Sequence, residues 1–222
     1  MRVTFISLFP NYFDTFKAHS IIKNAIAKEK VTIDTVNPWD FVKEGENVDD
    51  YVYGGGAGML MLIEPVVAAI ESVRTEESYV VLMGPRGNTH SQEKAKEMTN
   101  IKHLILICGH YEGIDSRIKH YIDEELSIGN YILTGGEGAA VIVADSVIRL
   151  LDGVIKTESH QNESFENNLL EHDQFSKPVD FRGHKVPEVL LSGNHQEIEK
   201  WRKENQIEVT SKLLLKKELK GE

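Results

Sequence analysis

Three short, largely apolar runs constrain this chain most: residues 3–9, residues 79–83 and His103–Cys108. Each is too short for a core helix and rich in Val, Ile, Leu or Phe, which marks a strand covered on both faces. Pro10-Asn11 closes the first, Gly84-Pro85 the second and Gly109 the third. Residues 31–36 alternate apolar and polar and read as a fourth strand ending at Asn37-Pro38. Helical spacing fills the gaps. Phe13, Phe16, Ile21, Ile22 and Ala25 share one face, and a second helix runs from Glu64-Pro65 to Val73. Thr89 with Gln92 fits a capping box ahead of a third helix reaching Met98. Small and branched residues from 136 to 151 predict a fourth, tightly packed helix. Strands alternating with helices predict an α/β layer with a mainly parallel sheet, whose ligands bind at the carboxyl ends of the strands.

The 222 residues allow one domain or two unequal ones, and 41% apolar content is that of a folded chain. Composition shifts after Val154. Residues 1–156 form the predicted α/β domain, the polar stretch 157–174 a flexible linker, and residues 175–222 a small helical C-terminal domain with Trp201 on the inner face of its helix. The net charge of −10 argues against a non-specific nucleic-acid coat or a basic membrane-surface protein. No run approaches a membrane span, and the first ten residues are too short an apolar stretch for a signal peptide, which predicts a cytoplasmic protein. The single cysteine, Cys108, forms no intrachain disulfide and no cysteine zinc site, and reads as a buried, inert thiol. His103, His110, His120, His160 and His172 lack convergent metal spacing and read as solvated or singly hydrogen-bonded; no metal site is predicted.

Four segments carry chemistry. Asp49-Asp50-Tyr51-Val52-Tyr53-Gly54-Gly55-Gly56-Ala57-Gly58-Met59 is glycine-rich, but no Lys-Ser or Lys-Thr follows to make a phosphate loop. The others are Met83-Gly84-Pro85-Arg86-Gly87, Cys108-Gly109-His110-Tyr111-Glu112-Gly113-Ile114-Asp115 and the stretch from Ser127 to Glu137. One such loop is a turn. Together they outline a site for an adenosine-sized ligand held largely by main chain, with Ile128, Tyr131 and Leu133 as an apolar wall. A Rossmann reading fails, because no Gly-x-Gly-x-x-Gly opens a helix after the first strand.

These motifs, with Ile6-Ser7-Leu8-Phe9-Pro10, Ser127-Ile128-Gly129, Thr134-Gly135-Gly136-Glu137 and Leu190-Leu191-Ser192-Gly193-Asn194-His195, resemble the bacterial tRNA (guanine-N1)-methyltransferase family, in order from residue 1 to Arg202. The resemblance implies a SPOUT-class fold with a trefoil knot, and an obligate homodimer with an active site shared across its interface. It also implies methyl transfer from S-adenosylmethionine to N1 of guanosine-37 in tRNA. Leu82, Gly84, Pro85, Gly109, Tyr111, Gly113, Ile128, Gly129, Tyr131, Leu133, Gly135 and Gly136 would line the cofactor pocket. Glu163 would be the general base and Arg149 the cation near guanine O6, while Asp49, Gly55, Glu112 and Lys177 would meet the substrate. A magnesium ion near Glu112 or Asp49 also belongs to the expectation.

Some positions depart from the family pattern. Glu163 stands where the family usually carries Asp, and Phe175-Ser176-Lys177-Pro178 where it carries Tyr-Thr-Arg-Pro. Two other readings therefore stay open at this level: a diverged paralogue that keeps the fold for a binding or regulatory role, and a knotted methyltransferase acting on another RNA or a small molecule.

Overall fold

The computed structural model describes residues 1–156, 163–165 and 168–220, with side chains described as far as residue 215. It contains two compact units, Met1–Lys156 and Thr157–Glu222. His160 and the rest of the expected linker at 157–162 and 166–167 lie outside the described residues.

The first unit is built on a five-stranded sheet ordered β2-β1-β6-β5-β7, all neighbours parallel. Its strands are β1 (Arg2–Ile6), β2 (Thr32–Val36), β5 (Ser78–Thr89), β6 (His103–Cys108) and β7 (Glu124–Ser127). A short antiparallel ribbon, β3 (Asp49–Tyr51) with β4 (Met59–Met61), flanks the glycine-rich loop. The central strand β6 is fully buried. Leu104, Leu106 and Cys108 face one apolar cluster with Val3, Phe5 and Val81, while Ile105 and Ile107 face the other with Ile6 and Val80. That two-sided burial follows from the period of two along a strand. Over the first face pack α2 (Ser20–Ala27), α4 (Gln92–Met98) and α5 (Glu137–Ile148), following the short α1 (Asp14–Ala18). Over the second packs α3 (Ile63–Val73), through Val66, Ala69 and Ile70.

Several elements depart from the sequence expectation. β1 ends at Ile6, and Pro10–Phe13 forms a 3-10 turn. The helical segment after it is split at Ser20, whose φ is +50°. Strand β5 does not stop at Gly84-Pro85. Met83 and Asn88 both register with Leu126 of β7, so residues 84–87 loop out and the strand then resumes alongside β7. The fourth expected helix starts one residue late, at Glu137. The cap of α4 is Ser91, which accepts from the Lys94 N–H at 3.2 Å; Thr89 is already committed to the β7 ladder opposite Ser127. β7 itself, four residues long, carries too little pattern to stand out in the sequence.

Two histidines lie at the margin of the sheet, His103 buried and His90 half-buried. His103 is 4% exposed and bridges Thr4 Oγ1 at 2.9 Å and Ser78 Oγ at 2.8 Å, so it is doubly bonded rather than solvated or singly bonded. Burial, and then the charge of Arg2, push its imidazole below the ordinary value of 6.5. His90, bonded to Ser146 Oγ at 2.8 Å, is lowered by burial too. A lowered folded-state pKa means the unfolded chain takes up the proton first as pH falls. Stability is therefore full above the unfolded value near 6.5 and declines as pH drops through it toward the folded values. Thermal melts at pH 7.5 and 5.5 are expected to show a lower midpoint at the acid end, and a smaller drop in His103→Gln. An unchanged drop in that variant would contradict the assignment.

The second unit has a two-stranded ribbon, β8 (Asp180–Phe181) with β9 (His184–Lys185), then α6 (Glu188–Leu191) and the long α7 (His195–Lys220). Asn194 caps α7, accepting from the N–H groups of Gln196 and Glu197. Trp201 packs beside the rings of His172 and Phe175. Leu170 N–H donates to Thr210 Oγ1 at 2.9 Å and Asp173 N–H to Asn205 Oδ1 at 2.7 Å, fastening residues 170–173 along α7.

Candidate cofactor cavity and active site

The out-looped stretch of β5 at Gly84-Pro85 and the loops after β6 and β7 converge on a cavity of about 350 Å³. Such a volume lies at the small end of the range for small-molecule sites. Main chain forms much of the wall, and hydrogen bonds tie the segments together. Gly136 N–H donates to the Gly109 carbonyl at 2.9 Å, and Glu112 N–H to the Met59 carbonyl at 3.0 Å. Met61 N–H reaches the Gly113 carbonyl at 3.0 Å, so β4 holds the second loop in place. The Ser127 hydroxyl accepts from the Gly129 N–H at 3.2 Å and shapes the third. Ile128, Tyr131 and Leu133 supply the apolar side.

Of the cofactor residues expected from the sequence, Gly84, Pro85, Gly109, Tyr111, Gly113, Ile128, Gly129, Tyr131, Leu133, Gly135 and Gly136 line this cavity. Leu82 does not; it lines a neighbouring cavity of about 640 Å³, which shares Gly84, Pro85, Gly109, Glu112 and Gly113 with the first. Gly55 lies in that second cavity with Glu112. The Glu112 carboxylate rests against Gly58, where an added Cβ would stand 2.6 Å from Oε1. Asp49 lines neither cavity; it sits in β3 opposite Met61. Among the described residues, no three His, Cys, Asp or Glu side chains gather to hold a metal ion.

Arg149 caps the carboxyl end of α5, ten residues beyond Ala139, the last residue of that helix to line the first cavity. At 1.5 Å per residue the two stand about 15 Å apart along the helix axis. The arginine therefore belongs to the opposite end of α5 from the cavity of its own chain. One turn back, the Asp145 carboxyl is held above the usual carboxylate range by burial, which the charge of Arg149 opposes. Glu163 and Lys177 belong to the second unit. Glu163 precedes Ser164, whose hydroxyl accepts from Glu171 N–H at 3.0 Å, and Lys177 precedes Pro178.

A polar network that the sequence patterns do not single out lies at the cavity margin. Glu137, the first residue of α5, is 3% exposed and bonds both Ser7 Oγ and His110 Nε2. The signal was present in Thr134-Gly135-Gly136-Glu137: an acid directly after two glycines that let backbone approach closely.

Comparison with known proteins bears on the same residues. The family model for tRNA (Guanine-1)-methyltransferase TrmD matches residues 1–218. A tRNA (guanine-N(1)-)-methyltransferase from Malacoplasma penetrans is 56% identical over 211 residues, covering 95% of this chain and 93% of its own length. The protein of the same name from Mycoplasma mycoides is 51% identical over 214 residues, with 96% and 89% covered. That from Clostridium botulinum (strain Kyoto) is 49% identical over 216 residues, with 96% and 90% covered. With cavity-forming loops at the carboxyl ends of a parallel sheet and a match along nearly the whole chain, this protein belongs to the tRNA (guanine-N1)-methyltransferase family, of the SPOUT class.

Proposed function

We propose that the chain transfers the methyl group of S-adenosylmethionine to N1 of guanosine-37 in tRNA, working as a cytoplasmic homodimer. One observation carries this reading. A glycine-walled, apolar-sided cavity adjoins a second one across Gly84, Pro85, Gly109, Glu112 and Gly113. Donor and acceptor of a group transfer need two such spaces with a common boundary. The first suits the cofactor, with main-chain N–H and C=O groups for adenine edges and Leu133 and Ile128 for its faces. The second, bounded by Gly55 and Glu112, suits the acceptor base.

When bound, the cofactor supplies an electrophilic methyl group on a sulfonium, whose departure needs no proton. The demands on the chain lie at the guanine. Its N1 carries a proton, and the lone pair becomes available as that proton leaves. Glu163 is the base that takes it, and Arg149 stabilises the negative charge that gathers on O6. Because Arg149 sits at the far end of α5 from its own cavity, the reading requires a second copy to bring an arginine to each cavity.

An acidic chain offers little background attraction for RNA, so tRNA is held by few contacts. On α7, Arg202 is paired with Glu199 at 2.8 Å and Lys212 with Glu208 at 2.6 Å, and Lys177 is the lysine assigned to the tRNA.

The test is transfer of labelled methyl from S-adenosylmethionine to a tRNA carrying guanosine at positions 36 and 37. Stoichiometric transfer is expected, and Leu133→Ala is expected to weaken cofactor binding about tenfold through lost apolar contact. Cofactor binding without transfer to tRNA would overturn the reading in favour of a binding protein on the same fold.

A further inference from the structure

We infer that Glu137 is a positioning residue for cofactor binding, acting through His110; the inference rests on the assignment of the first cavity to S-adenosylmethionine. A carboxylate this deeply buried, with a side chain only 4% exposed, requires partners at both oxygens. It has them. Ser7 Oγ donates to Oε1 at 2.5 Å, and the same hydroxyl accepts from the Phe9 N–H at 2.9 Å, which fixes the direction of donation. His110 Nε2 lies 2.7 Å from Oε2 and is the donor in that bond, since an ionised carboxylate only accepts. As the first residue of a twelve-residue helix, Glu137 also sits where unpaired N–H groups favour negative charge.

The carboxylate thereby joins three segments that are remote in sequence: the end of β1, the loop after β6 and the start of α5. His110 lines the cavity, with the Phe9 ring edge-on to its imidazole at 4.7 Å and its backbone N–H directed to Met61 Sδ at 3.3 Å. Gly135, the cavity residue beneath the pair, leaves room for it. A Cβ there would stand 2.6 Å from Glu137 Oε2 and closer still to His110 Nε2. The Glu137–His110 bond thus replaces a side chain at Gly135. It sets where the loops carrying Gly109, Tyr111 and Gly113 stand relative to the loop carrying Leu133. No atom of Glu137 needs to reach the methyl group for this role. The effect falls first on the cavity that receives the cofactor, because His110, Tyr111 and Leu133 line that cavity and not the second.

The test measures binding of S-adenosylmethionine to the full chain by titration calorimetry, together with KM for each substrate and thermal midpoints. Glu137→Gln keeps the shape and removes the charge; His110→Ala removes the donor; His110→Gln retains an amide N–H near the position of Nε2. Glu137→Gln and His110→Ala are each expected to weaken cofactor binding about tenfold or more, the cost of leaving a buried partner unpaired. KM for tRNA is expected to stay within about twofold of the parent, and His110→Gln to recover most of the loss. The double variant Glu137→Gln/His110→Ala is expected to be no worse than the poorer single one, because both break one bond. Cofactor affinity within twofold of the parent in His110→Ala, losses that multiply in the double variant, or equal rises in both KM values would overturn the inference. Should Glu137→Gln fail to fold, the two His110 variants decide it. Leu133→Ala separates the two readings. If it weakens binding while His110→Ala does not, the inference falls and the cavity assignment stands. If neither weakens it, the cavity assignment has failed and the inference with it.

Discussion

Glu163→Gln is expected to lower the rate of methyl transfer by about a thousandfold at saturating substrates, the contribution of a positioned general base. The amide keeps nearly the size of the side chain and removes only its capacity to accept the N1 proton. Cofactor affinity is expected to remain unchanged, because the described walls of the first cavity run from Met83 to Ala139. Arg149→Ala is expected to lose about a hundredfold or more, as for removal of one donor to a developing oxyanion. Single-turnover assays isolate the chemical step from product release and are the proper measurement. Full transfer by Glu163→Gln would remove that residue as the base while leaving the cofactor cavity untouched.

Gly87→Ala is expected to prevent folding or to cost more than about 4 kcal/mol, the range reached only by a named structural clash. A Cβ at Gly87 would stand 2.0 Å from the carbonyl oxygen of Glu125 and 2.5 Å from the amide nitrogen of Leu126. Both are backbone atoms of β7, which pairs with β5 on either side of the looped residues 84–87 and has no slack to yield. Gly109→Ala is the matched control, since its Cβ would meet Ile114 at 3.5 Å, an ordinary contact. Denaturant unfolding of the two variants is expected to show near-parent stability for Gly109→Ala and little or no folded protein for Gly87→Ala. Equal stability in both would contradict the close crossing at β7.

The two predictions draw on different amounts of sequence information. Strand β6 is legible residue for residue, because six consecutive positions are buried on both faces and selection for apolar side chains is continuous. Helix α3 is legible to within one residue from its apolar spacing and its early proline. The cavity loops are legible because backbone recognition of a ligand demands glycine at several strand ends together, which few other constraints produce. The extension of β5 is not. Gly84-Pro85 carries an ordinary stop signal, and only pairing with β7, some forty residues on, restarts the strand. The cap of α4 shifts to Ser91 for a related reason: ladder pairing of Thr89 is a tertiary fact. The partners of Glu137 are not legible, because Ser7 and His110 lie 130 and 27 residues away. The remoteness of Arg149 from its own cavity likewise emerges only once the direction of α5 is known.

That last feature makes the most direct measurement a mixing experiment. Leu133→Glu places a carboxylate on the apolar wall of the cofactor cavity, and Glu163→Gln removes the base; each homodimer is expected to be inactive. If cofactor cavity and base in one working site come from different copies, subunit exchange between the two variants forms heterodimers with one intact site. Random exchange then restores about a quarter of the parent's methyl transfer to tRNA, since half the dimers are mixed and one site in each is whole. No recovery after verified exchange would contradict a base supplied to each cofactor cavity by the second copy of the chain.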